Sequence, residues 1–77
     1  MNLEEEFEQH VVAEAKKQVQ ARVEVTTWRA YALMAERGLS GAEVAAQLQI
    51  PEARVYKYKS RIQQMLQEEV RLVLQAD

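Results

Sequence analysis

Seventy-seven residues, 48% hydrophobic and 29% charged, suffice for one domain with a modest core and not for two. The absence of cysteine excludes disulfides and thiolate metal sites and suits a reducing compartment. No apolar run approaches the roughly 18 to 20 residues that cross a bilayer, and Glu4, Glu5 and Glu6 are the opposite of a signal peptide, so a cytoplasmic protein off the membrane is expected.

Leu3, Phe7, Val11, Ala15, Val19 and Val23 recur every four residues among Glu, Gln and Lys, which predicts a long amphipathic helix with one face to cover. Residues 1–25 are therefore read as an N-terminal helix, either the start of the domain or the end of a linker. Residues 26–77 are read as the remainder of the domain. Thr26 or Thr27 is expected to cap a second helix running from Trp28 to about Arg37. Trp28, Tyr31, Ala32 and Ala35 would be its buried side and Gly38 its left-handed terminator.

Ser40 followed by Glu43 is a capping box and marks a third helix, whose apolar stripe is Val44, Ala45 and Leu48. A turn of about three residues follows. Gln49 occupies its left-handed position, where Gly or Asn is usual, and Pro51 presets the next first turn without a Ser, Thr or Asp cap. The last helix then runs unbroken to about Leu74, since no Gly or Pro intervenes. Val55, Tyr58 or the stem of Lys59, Ile62, Met65 and Leu66 form its buried stripe. Glu52, Ala53, Arg54, Tyr56, Lys57 and Ser60 must then face away from the core. The expected fold is an all-α domain of four to five helices containing a helix-turn-helix.

Charge points to a partner. The formal net charge is −2, with six acids and three bases in residues 1–25, and six acids and seven bases in residues 26–77. Arg54, Lys57, Lys59 and Arg61 follow one another with no acid between them. Positive charge focused on one helix suits double-stranded DNA, although so few cations predict weak binding by the isolated domain. Tyr56 and Tyr58, two apart on a helix, cannot both point inward. Tyr58 is expected partly buried and Tyr56 exposed, free to meet a phosphate or a thymine methyl. His10 is the single imidazole, in a Gln and Glu context, so neither a catalytic triad nor a zinc site is expected. The reading is a non-enzyme with no cofactor and no metal.

The run Thr26, Thr27, Trp28, then GLSGAEVAAQL, then RVYKYKSRIQQMLQEEV resembles region 4 of sigma-70 family RNA polymerase sigma factors, most of all the extracytoplasmic function group. The likeness covers about residues 22 to 72 and lies in order and spacing. It implies transcription initiation: recognition of the minus-35 promoter element by the second motif helix, with another surface holding the β flap of RNA polymerase. Carried onto this chain, the base-reading residues are Glu52, Ala53, Arg54, Tyr56 and Lys57, and the phosphate-holding residues Ser40, Gly41, Lys59, Ser60 and Arg61. Two departures stand out: the family's usual turn glycine is Gln49 here, and region 2, which melts the promoter, has no counterpart, so the resemblance implies either an excised domain or a stand-alone region-4-like protein rather than a complete factor. Two further readings compete. One is an interaction module that docks on the polymerase or an anti-sigma factor, suggested by the long apolar face of residues 3–23. The other is a free-standing helix-turn-helix repressor that dimerises through a terminal helix; a weak homodimer is left open.

Overall fold

The computed structural model describes residues 3–75 as four α-helices: α1 (Leu3–Arg22), α2 (Val25–Ala35), α3 (Gly41–Leu48) and α4 (Glu52–Gln75). The fold is all-α. Helix α4 is the spine, packing against each of the other three, and α2 also packs against α3. Apolar residues of α4 recur at helical spacing, so successive turns bury different side chains against different neighbours.

Two clusters form the core. Val19, Tyr31 and Ile62 join α1, α2 and α4, with Val23, Trp28, Met65 and Leu66 packed around them. Ala30, Val44 and Val55 join α2, α3 and α4, flanked by Leu33, Met34, Leu39, Ala45, Leu48, Ile50 and Tyr58. Ala30 is the fully buried residue of α2 in this cluster, and its small side chain lets three helices converge. The rings of Trp28 and Tyr31 lie 5.2 Å apart and tilted by 46°, an attractive arrangement of their quadrupoles.

Helix α1 runs antiparallel to α4, because Val19 meets Ile62 while Phe7 and Val11 share a groove with Val70 and Leu74. Of the expected α1 stripe, Val11, Ala15 and Val19 are buried, whereas Leu3 is 83% and Phe7 58% exposed. The cause is geometric: the first turns of α1 lie beyond α2 and α3, with only the end of α4 beside them. This projecting pair gives a radius of gyration of 13.8 Å, above the ~11.5 Å of a compact chain this long.

Helix α2 differs from the sequence expectation. It starts at Val25 with Glu24 in the extended cap position (φ −67°, ψ 152°) and no side-chain cap; the Trp28 amide donates to the Glu24 carbonyl at 3.1 Å. Thr26 and Thr27 therefore cap nothing. Only Val23 and Glu24 separate α1 from α2, so the anchoring of Val23 in the core starts the new helix before either threonine, and Thr27 is buried instead. The buried face is Thr27, Ala30 and Tyr31; Ala32 is half-buried and Ala35 exposed. Small alanines carry no phase information of their own, and contact with both clusters rotated the face. The helix ends at Ala35, the Glu36 and Arg37 amides both reaching the Ala32 carbonyl, and Gly38 adopts φ 74°. That left-handed residue turns the chain so that the Leu39 amide bonds the Leu33 carbonyl at 3.0 Å.

Candidate nucleic-acid interface

Helices α3 and α4 meet across the three-residue turn Gln49–Pro51. The capping box is present: the Ser40 hydroxyl accepts from the Glu43 amide at 3.1 Å, and the Glu43 carboxylate accepts from the Ser40 amide at 2.8 Å. The Ser40 amide bonded to that carboxylate, and after it the Ser40 hydroxyl beside it, hold the Glu43 carboxyl below the usual carboxylate value. At the other end Gln49 is left-handed (φ 58°, ψ 46°), and the Gln49 and Ile50 amides both return to the Ala45 carbonyl, the latter at 3.1 Å. Pro51 stands one position earlier than expected: its carbonyl receives the first bonds of α4, from Arg54 at 3.0 Å and Val55 at 3.3 Å, so it lies at the cap rather than inside the helix.

Burial of Val55 and Ile62 fixes the rotation of α4. Glu52, Ala53, Arg54, Tyr56, Lys57, Ser60 and Arg61 are exposed, and Tyr58 and Lys59 are half-buried on the flanks. Three and four residues apart, Arg54, Lys57 and Arg61 form one ridge along the outer surface. The ion pairs among the described residues are Lys16 with Glu36, Arg22 with Glu69 and Arg71 with Glu68. Arg22, Glu68 and Glu69 stand beside Arg61 at the far end of the ridge and line one cavity with it, yet Arg54, Lys57, Lys59 and Arg61 have no ion-pair partner among the described residues. Arg61 also borders an open cavity of about 440 Å³, with Arg22, Glu24, Thr27 and Tyr58 in its wall.

The other candidates are placed less openly. Ser40 uses its amide and an oxygen lone pair in the capping box but keeps a hydroxyl hydrogen to donate. The ionised Glu43 carboxylate beside it opposes an anion at the start of α3. Gly41 is buried beneath the ring of Tyr56. Tyr56 itself, 49% exposed, lies across α3 and donates its hydroxyl to Glu52 at 3.2 Å. That hydrogen bond, aided by the carboxylate's charge, raises the phenol pKa. The Gly41–Tyr56 contact was missed from the sequence because it joins two helices, and no spacing along one helix signals it. Gln64, exposed and seven residues beyond Lys57, extends the same outer face and was likewise missed.

Elsewhere, His10 is exposed on α1, and no group of three or more His, Asp or Glu side chains among the described residues could hold a metal ion. No helix among them is long and apolar enough to cross a membrane. In comparisons with known proteins, no family model, curated protein or solved structure matches this chain.

Proposed function

We propose that this chain binds double-stranded DNA as a helix-turn-helix domain of the sigma region 4 type, with α4 as the recognition helix and RNA polymerase as its partner. One observation carries the reading: the ridge of Arg54, Lys57 and Arg61 stands on the outer face of α4 without acidic partners, while the opposite face is locked into the core. A major groove admits one helix, and the exposed face offers matching chemistry: Arg54 and Lys57 donate to guanine O6 and N7, and Glu52 accepts from cytosine N4. Lys59, Ser60 and Arg61 lie one or two turns further on, suited to phosphates. Minus-35 promoter recognition follows from the sequence resemblance alone. Cytoplasmic location belongs to the same proposal.

The test is binding to duplexes selected from a random pool, by the intact chain and by Arg54→Glu, Lys57→Glu and Arg71→Glu. The first two should abolish selection, and Arg71→Glu, on a residue already paired to Glu68, should leave it intact. Equal binding by all three would remove α4 from DNA recognition.

A second reading draws on the far end of the molecule. Phe7, Val11, Val12, Val70 and Leu74 line an apolar groove, and Leu3 and Leu72 are exposed as well. Such a patch suits an interaction module. Retention of the polymerase β flap by the wild type but not by Phe7→Glu, in the absence of DNA binding, would favour it.

A further inference from the structure

Tyr56 joins the start of α3 to the start of α4. Its hydroxyl holds one carboxylate oxygen of Glu52, Oε2, at 3.2 Å, and leaves Oε1 with no partner among the described residues. Its ring rests on Gly41, where a Cβ would overlap Cζ and Oη and stand 2.9 Å from Cε1. Any side chain at position 41 thus pushes the ring off α3. The displacement is cheap, because the ring is the far end of a half-exposed side chain and Gly41 has an ordinary negative φ. In the first turn of a helix, alanine is moreover a better residue than glycine.

Resting on the DNA-binding reading above, we infer that Gly41 and Tyr56 are positioning residues for base selection: the space over Gly41 seats the Tyr56 ring, and the Tyr56 hydroxyl aims Glu52 so that its free oxygen accepts from cytosine N4. A glutamate in the first turn of an exposed helix has several rotamers of similar energy, and one that must meet a single base edge gains from being held before the DNA arrives. Tyr56 is the group that holds it. The raised phenol pKa accords with a hydrogen bond to an ionised carboxylate.

The experiment is selection from a randomised duplex pool by the intact wild type and by Glu52→Gln, Tyr56→Phe and Gly41→Ala, with the salt dependence of binding measured in parallel. The expected result is one C·G position whose preference Glu52→Gln loses and Tyr56→Phe and Gly41→Ala each weaken by roughly three- to tenfold, the worth of one ordered hydrogen bond. The salt slope should stay the same, because Gly41 is buried beneath the Tyr56 ring and the residues suited to phosphates, Lys59, Ser60 and Arg61, are left as they are. Should Tyr56→Phe and Gly41→Ala keep the full preference that Glu52→Gln loses, Glu52 reads unaided and the inference falls while the DNA-binding reading stands. A wild type with no base preference at all overturns both. If Gly41→Ala were to unfold, its cost would contradict a cheap ring displacement, and Tyr56→Phe, which keeps the ring and removes only the hydroxyl, would still decide the role of the hydrogen bond.

Discussion

Val19 of α1 and Ile62 of α4 are both fully shielded from solvent and share one cluster with Tyr31, so the N-terminal helix is fastened to the spine from Val11 onward while its first turns are not. The same two helices diverge in character toward their other ends, where Leu3 and Leu74 stand in solvent.

Replacing Ile62 with Ala should therefore cost about 2 to 5 kcal/mol, a large share of what a domain this small possesses. Leu3→Ala should change stability by less than about 0.5 kcal/mol. Urea unfolding followed by circular dichroism gives both values; equal losses would mean that the N-terminal turns of α1 are packed.

The turn between α3 and α4 offers a gain and a loss. Gln49 sits at φ 58°, where a non-glycine residue costs roughly 1 kcal/mol, so Gln49→Gly should stabilise by about 0.4 to 1 kcal/mol. Ser40→Ala removes the cap from the Glu43 amide and should destabilise by about 1 kcal/mol. Thermal melting of the two variants should move in opposite directions.

Acid should weaken the capping box. The folded-state pKa of Glu43 lies below its ordinary 4.5. Its contribution is accordingly complete above that value and disappears as pH falls through the lower, folded value. The melting difference between wild type and Glu43→Gln should shrink in the acid range below 4.5. A constant difference across that range would show that the carboxylate is not what Ser40 requires.

On DNA, base and phosphate contacts should separate by their response to salt. Arg54→Ala should cost about 1 to 3 kcal/mol and relax preference at one position, while Arg61→Ala should weaken all sequences alike and lower the slope of log K against log salt by about 1. Titrations of one selected and one scrambled duplex at several salt concentrations measure both quantities. Loss of preference in Arg61→Ala would reverse the two roles.

The sequence by itself determined the features that need only neighbours along the chain. The Ser40–Glu43 box, the left-handed Gly38 and Gln49, the three-residue turn and the unbroken last helix are local hydrogen bonding and backbone sterics, all present as read. The rotation of α4 was also legible, because Val55 and Ile62 are large apolar residues one heptad apart in a polar helix. Only the tertiary structure decided the rest. The two-residue link anchored by Val23 placed the start of α2 ahead of its threonines, and two clusters pulling on one helix buried Ala30 rather than Ala35. Antiparallel packing on α4 left Leu3 and Phe7 outside. Gly41 and Tyr56 met because the turn folds α3 back on α4: a contact between helices depends on the path of the backbone in three dimensions, which periodicity along either helix does not contain.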